Sequence, residues 1–140
     1  MTIVDLKTEL SNWKLGKHRI IDLSIGVSTL LLHEFVAKPH YRKFIYSRNI
    51  HDFHIADTLG NSLGTITAIF IVAGLIGSEK NSNQFLIKTT TMAMILYELC
   101  QPLLGKPIDP WDILATLITG GWCGLVYDTI HRRKTQVTKS

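Results

Sequence analysis

The longest uncharged run of the chain, Thr58 to Ser78, places the strongest constraint on its fold. It contains no Asp, Glu, Lys or Arg over 21 positions, and about 20 apolar residues are enough for a helix to cross a bilayer. A soluble helix of this length would carry a polar face, but the polar residues here are few: Asn61, Ser62, Thr65 and Thr67. The run predicts a membrane-spanning helix and argues against a soluble all-α interaction domain.

Three further apolar segments predict helices, with interruptions at His33 and Glu34 in the first and at Lys88 and Glu98 in the second. With the uncharged run, at about 55–77, the predicted helices cover about 20–36, 84–103 and 111–130. Pro39 is expected to end the first helix, which leaves residues 38–56 as a polar connection. We therefore predict a single all-α domain over residues 1–140, a four-helix transmembrane bundle made of two helical hairpins.

The charge distribution favours lipid over nucleic acid as a partner. The formal net charge is +4, but the cations lie in the tails and connections, where they suit lipid headgroups. No basic stripe with interleaved aromatic residues is present, so we predict no nucleic acid partner. Ten of the 15 Lys and Arg residues fall on the side that would hold both termini. This bias predicts cytoplasmic termini in an inner (cytoplasmic) membrane protein.

Cysteine and N-terminal patterns exclude other classes. Cys100 and Cys123 lie in apolar runs without CxxC spacing, so we expect buried thiols and neither a disulfide nor a metal pair. Residues 1–15 have no apolar core, so no signal peptide is predicted. His33, His51 and His54 lie near acids, but solvated loop histidines are a more frequent explanation than a metal site. No metal and no cofactor is predicted.

Acids, amides and cations recur in a similar order in both halves of the chain. A helix ends in an acid, a loop follows with a cation and an Asp, and a further Asp opens the next helix. This layout predicts an approximate internal repeat about an axis along the membrane normal, with both loops on one face. We call the following residues the predicted polar site: Glu34, Arg48, Asp52, Asp57, Asn61, Glu98, Gln101, Asp109 and Asp112.

Structural roles compete with functional ones at these positions. Asp57 and Asp112 lie in first helical turns, where the helix dipole stabilises a negative charge and an acid can cap the helix. Capping is the favoured role for each. Glu34, Glu98 and Gln101 lie inside helices, where a cap cannot explain them. For these three, a functional pocket and a structural hydrogen-bond network remain open alternatives.

Glycine spacing leaves a second pair of alternatives. Gly60-x-x-x-Gly64 and Gly120-x-x-x-Gly124 have the small-xxx-small spacing of closely packed membrane helices. The spacing favours packing within one chain, and a homodimer face is the alternative.

The second half resembles the VanZ-like family of small bacterial membrane proteins. The matching residues are Glu98-x-x-Gln101, then Asp109-x-x-Asp112 and the segment 113–125 with its Gly-rich helix. The chain departs from the family pattern in two places: Lys106 stands where Arg is common, and Thr116 where Asn is common. The resemblance implies a multi-pass bacterial cytoplasmic-membrane protein connected with the cell envelope and with glycopeptide resistance of the teicoplanin type, without implying a reaction.

The sequence supports two hypotheses for the function of the predicted polar site. In the first, the predicted polar site binds a polar lipid headgroup or a lipid-linked cell-wall precursor, with nearby Arg42, Lys43 and Arg48 attracting phosphates. In the second, the protein is a membrane-embedded enzyme that uses carboxylates as general acid and base on a lipid-linked substrate. No Ser/His/Asp pattern supports a hydrolase. A transporter of four short helices would need a dimer to enclose a path.

Overall fold

The computed structural model describes residues 14–77 and 83–131, and every regular element within them is helical. The elements are α1 (Lys17–Leu32), a π-helical segment (His33–Arg42), α2 (Lys43–Ser47), α3 (Ile55–Ile76), α4 (Gln84–Leu99), a 3-10 turn (Gln101–Leu104) and α5 (Pro110–His131). Three helices are long and apolar enough to cross a membrane: Lys17–Ser47, Ile55–Ile76 and Pro110–His131. The all-α prediction is confirmed for these residues.

The first helix does not end at Pro39. It continues through the π-helical segment and α2 to Ser47, giving a stretch of 31 residues. In an α-helix, proline removes a backbone donor and its ring collides with a carbonyl of the preceding turn. The wider π-helical turn shifts the backbone hydrogen bonds around Pro39, so the helix continues past it. The predicted polar connection over 38–56 is therefore wrong for its first half.

α1 and α3 cross at close range because each places a glycine beneath a side chain of the other. A Cβ atom at Gly26 would lie 2.7 Å from Cγ1 of Ile71, and one at Gly74 would lie 2.7 Å from Cγ of Leu23. Both distances are too short for ordinary packing. The two glycines thus let the helix backbones approach in the manner of small-residue membrane interfaces.

α3 is the central helix, since α1, α4 and α5 all pack against it. The core between α3, α4 and α5 is formed by Ile69, Phe70, Ala73, Ile87, Cys123 and Tyr127. On α5, Gly120 faces Thr91 and Gly124 faces Gln84. These α5 glycines therefore pack against α4 of the same chain, in agreement with the favoured interpretation of their spacing.

Exposure of the two cysteines differs from expectation in one case. Cys123 is buried in the core, as predicted, but Cys100 is exposed. Cys100 follows the last residue of α4, where the chain turns into the 3-10 segment, so its side chain is not enclosed by a neighbouring helix.

The outer surface of the helices is strongly apolar. Large exposed side chains on α1, the π-helical segment, α4 and α5 include Leu31, Phe35, Met92, Leu96, Ile118, Trp122 and Leu125. Soluble monomers rarely expose contiguous apolar patches on this scale. The surface is compatible with contact to lipid.

We expect Gly74→Ala to lower the free energy of unfolding by about 1–3 kcal/mol, the usual range for overpacking a well-fitted contact. Gly64→Ala is the matched control, because nothing lies within 4 Å of a Cβ atom at that position of the same helix. The control should be neutral or slightly stabilising, since alanine favours helix over glycine. Thermal unfolding in detergent, followed by far-UV circular dichroism, makes the comparison. Equal effects of the two substitutions would contradict the proposed close crossing.

Candidate functional site

The polar residues divide between two ends of the helices. We call the end that holds the last turns of the first helical stretch and the start of α3 the distal end; it also holds the end of α4 and the start of α5. The opposite end, where His18 and His131 meet with Nδ1 atoms 2.7 Å apart, is the proximal end. The predicted polar site belongs to the distal end.

Five distal residues from α3, α4 and α5 form one group, which we call the buried polar group: Asn61, Glu98, Gln101, Asp112 and Thr116. Glu98 is only 2% exposed and accepts a hydrogen bond from the side-chain amide of Gln101. The Asp112 carboxylate lies beside the Asn61 amide and within electrostatic range of Glu98. Thr116, one turn after Asp112, is 1% exposed. Three helices thus present polar side chains to one place.

Several atoms of the buried polar group have no hydrogen-bond partner among the described residues. They are Nδ2 of Asn61, Oδ1 of Asp112 and Oγ1 of Thr116, and each is inaccessible to solvent. A buried polar atom without a partner costs about 1–3 kcal/mol, and such atoms in native proteins call for an explanation. The group offers both a donor and acceptors, so it has the capacity to bind a small polar moiety.

The surroundings of the buried polar group carry an excess of negative charge. Asp109 and Lys106 act on Glu98, and Asp57, Asp109 and Arg42 act on Asp112. Counting Glu98 and Asp112 themselves, four carboxylates face two cations. The electrostatic field at this place favours a cation over an anion.

Asp57 belongs to a neighbouring, more exposed cluster. Its carboxylate accepts from the Tyr46 hydroxyl and pairs with Arg42 Nη2 at 3.8 Å and His54 Nδ1 at 3.4 Å. The His54 ring stacks on Trp111 with centroids 5.7 Å apart. This cluster joins the end of the first helical stretch to the starts of α3 and α5.

The acids that cap α3 and α5 are not Asp57 and Asp112, as expected, but Asp52 and Asp109. Asp52 Oδ2 accepts from the backbone N–H of Ala56 at 2.7 Å, and Asp109 Oδ1 accepts from that of Trp111 at 2.9 Å. The side chains of Asp57 and Asp112 instead meet other side chains, so the capping role favoured for them is wrong. Each capping Asp precedes its non-capping partner, which leaves that partner available for contacts between helices.

Two further residues of the predicted polar site lie outside the buried polar group, as Asp52, Asp57 and Asp109 do. The Glu34 side chain is 45% exposed and pairs locally, with His33 Nδ1 at 3.0 Å and Lys38 Nζ at 3.4 Å. Arg48 is exposed, with Cζ 4.5 Å from the centroid of the Phe44 ring. Both lie on outward faces, where a local partner is reached more easily than an acid on another helix.

A polar network at the proximal end was not foreseen from the sequence. Asp22, 1% exposed, accepts from His131 Nε2 at 3.0 Å and from the Tyr127 hydroxyl at 3.5 Å. Asn83 Nδ2 donates to the Tyr127 oxygen at 2.6 Å, and Arg19 donates to the carbonyls of α3's C-terminal end, Leu75 and Gly77, at 2.9 and 3.0 Å. The available signal was Asp22 itself, an acid within the first predicted helix.

Histidines do not converge on a metal site in the part of the chain that the structure describes. No group of three or more His, Cys, Asp or Glu residues there is arranged to hold a metal ion. His33 pairs with Glu34, His51 lies edge-on to Phe53, and His54 stacks on Trp111.

Comparison with known proteins returned no match, neither to a family model, nor to a curated protein, nor to a solved structure. Functional inference therefore proceeds from the geometry of this chain.

Tyr127→Phe should destabilise the protein by about 1–3 kcal/mol, because it leaves the buried Asn83 amide and Asp22 carboxylate without their shared hydroxyl. The matched control is Tyr97→Phe, which removes the same atom from an exposed ring and should be nearly neutral. Both variants are compared by thermal unfolding in the same detergent. A loss of stability as large in the control would show that the network contributes nothing specific.

Proposed function

We propose that the chain is a multi-pass protein of the bacterial cytoplasmic membrane in which all four long helices cross the bilayer as one bundle. The three apolar helices support this, as does the packing of α4, although its 16 residues extend only about 24 Å at 1.5 Å per residue. The proximal end, where His18 meets His131, is proposed to face the cytoplasm. Ten of the 15 Lys and Arg residues belong to the tails and the turn that the predicted topology assigns to that side, which agrees with the positive-inside rule.

The function that the geometry supports best is binding of a polar headgroup, from a lipid or a lipid-linked cell-wall precursor, at the distal end. One observation carries this proposal: the buried, unpartnered donor and acceptor atoms of Asn61, Asp112 and Thr116. A purely structural network would be expected to satisfy its own members. Atoms left unpaired in a buried place gain most from a ligand that pairs them.

A membrane setting accounts for the residues around this place. Arg42, Lys43 and Arg48 are exposed at the distal end, together with Tyr46 and Trp111. Cations and amphipathic aromatic side chains are typical of the headgroup layer. A lipid would thus bring its headgroup to the depth at which the buried polar group lies.

The proposed relationship to the VanZ-like family gains physical content from the same group. The resembling residues Glu98, Gln101 and Asp112 all belong to it, together with Thr116, which stands where the family commonly has Asn. Asp109 caps the helix that presents Asp112 and Thr116. The proposed internal repeat is supported by Asp52 and Asp109, each of which accepts from a backbone N–H in the first turn of the following helix, although at different spacings. An envelope role of the glycopeptide-resistance kind follows as part of this proposal.

An enzymatic function is the second candidate, favoured by the electrostatic coupling of Glu98 and Asp112. Two carboxylates in a buried place can act as general acid and general base when one is protonated and the other is not. Such an enzyme would act on a lipid-linked substrate with water as the nucleophile. Turnover of a lipid-linked precursor by purified protein, lost in Glu98→Gln, would favour it over binding alone.

Membrane orientation can be tested by labelling introduced cysteines with a membrane-impermeant maleimide. In a Cys100→Ser background, Ser47→Cys at the distal end should react in intact cells, after outer-membrane permeabilisation where one exists. Lys14→Cys at the proximal end should react only after lysis. The reverse pattern would invert the proposed orientation, and equal reaction of both sites in intact cells would contradict the four-span arrangement.

Headgroup binding is tested by measuring lipids that remain bound during purification, using native mass spectrometry. Asp112→Asn should lower retention by about tenfold or more, since a buried hydrogen bond to a charged group is worth about 1.5–3 kcal/mol. Glu34→Gln is the matched control, because it neutralises an exposed acid at the same end. Equal retention by wild type and Asp112→Asn, both folded, would contradict the proposal.

A further inference from the structure

We propose that the group recognised at the distal end is a primary ammonium, R–NH₃⁺, held by Asp112, Thr116 and Glu98. This inference rests on the proposed function, headgroup binding at the buried polar group, and specifies the chemistry of the headgroup. It follows from the number of acceptors, the sign of the charge and the burial of the acceptor atoms.

Acceptors outnumber donors in the buried polar group. Asp112 Oδ1 and Thr116 Oγ1 have no partner among the described residues, and the Glu98 carboxylate receives one bond, from Gln101. A primary ammonium carries three N–H donors and no acceptor. It can therefore donate to the carboxylate, the hydroxyl and the second carboxylate at once, which a single hydroxyl group cannot do.

Charge selects the same ligand. The four carboxylates Asp57, Glu98, Asp109 and Asp112 face only Lys106 and Arg42 in this region. A phosphate would add negative charge where negative charge already prevails, and a neutral sugar hydroxyl would leave the buried acids uncompensated. A bound ammonium supplies the missing positive charge at the place where Glu98 is 2% exposed.

Burial also separates primary from quaternary amines. A trimethylammonium has no N–H donor, so it would leave Asp112 Oδ1 and Thr116 Oγ1 unpaired, and such cations are bound by aromatic faces instead. No aromatic residue belongs to the buried polar group; Trp111 and Tyr46 are engaged in the adjacent cluster with His54 and Asp57.

The remaining unpaired atom defines where the rest of the ligand lies. Asn61 Nδ2 lies beside the Asp112 carboxylate but makes no hydrogen bond of normal geometry to a described residue, so it can donate to an acceptor of the ligand. In an aminoethyl phosphate, an ester oxygen is separated from the nitrogen by two carbons and could accept from Asn61. Arg42, which lies within electrostatic range of Asp112, is then placed on the phosphate side.

The test compares a headgroup that carries a primary ammonium with one that carries a quaternary ammonium and one that carries no amine. The protein is reconstituted in phosphatidylcholine nanodiscs containing a minor fraction of phosphatidylethanolamine or of phosphatidylglycerol, and bound lipid is counted after native mass spectrometric release. We expect phosphatidylethanolamine to be retained about tenfold more than either alternative at equal fraction. Asp112→Asn should abolish this preference, whereas Glu34→Gln should keep it.

A second variant protects the test against misfolding. Thr116→Val is nearly isosteric and removes one acceptor without removing charge, so it should reduce the preference only in part. Adding soluble ethanolamine to pure phosphatidylcholine nanodiscs identifies the source of the amine. Thermal protection by millimolar ethanolamine, lost in Asp112→Asn, would assign a soluble amine, and protection by phosphatidylethanolamine alone would assign a lipid headgroup.

The failures of the two proposals are distinguishable. Equal retention of all three lipids by the wild type, lowered equally by Asp112→Asn, would overturn the ammonium assignment and leave headgroup binding standing. Retention that is the same in wild type and in both folded variants, Asp112→Asn and Thr116→Val, would overturn headgroup binding as well.

Discussion

The close crossing of α1 and α3 is the constraint on which the remaining structure depends. Gly26 and Gly74 let Leu23 and Ile71 each occupy the space above a glycine, so α1 and α3 share an extended contact. α3 then offers its other faces to α4 and α5. Because α3 touches all of the other long helices, its position decides which polar side chains meet at each end.

The two ends differ in the hydrogen bonding of their buried polar side chains. At the proximal end, Asp22, Tyr127, Asn83 and His131 donate to and accept from one another, and Arg19 binds the carbonyls at the end of α3. At the distal end, a donor on α3 and acceptors on α5 remain unpaired. A buried polar atom without a partner reduces the stability of the fold.

The sequence predicted the helices well where charge alone decides, and less well where geometry decides. The uncharged run at 58–78 predicted α3 because charged side chains are costly in an apolar layer. The prediction that the first helix ends at Pro39 was wrong, since a π-helical segment continues the helix past it. Asp22 and Glu34 are both acids within apolar segments, yet one is buried and the other exposed. Only the neighbours on other helices distinguish them, and one sequence does not contain that information.

Capping shows the same limit at finer scale. Two acids stand near the start of both α3 and α5, and sequence position favours capping for the ones in the first turn. The backbone N–H groups are instead taken by Asp52 and Asp109, which lie before the helix and can reach back to it. The sequence thus predicted that Asp57, Asp112, Glu98 and Gln101 lie at one end, but not which of them would be left to face other helices.

The π-helical segment has a consequence for the outer surface of the protein. At about 1.5 Å per residue, the stretch Lys17–Ser47 of 31 residues is roughly 45 Å long, against a hydrocarbon layer of about 30 Å. In the proposed bilayer arrangement, its last turns project beyond the acyl chains. Arg42 and Tyr46 lie in these turns, where Arg42 pairs with the Asp57 carboxylate and the Tyr46 hydroxyl donates to it. A helix that ended at Pro39 would lack these residues, and the Asp57 side of the distal end would be open to water.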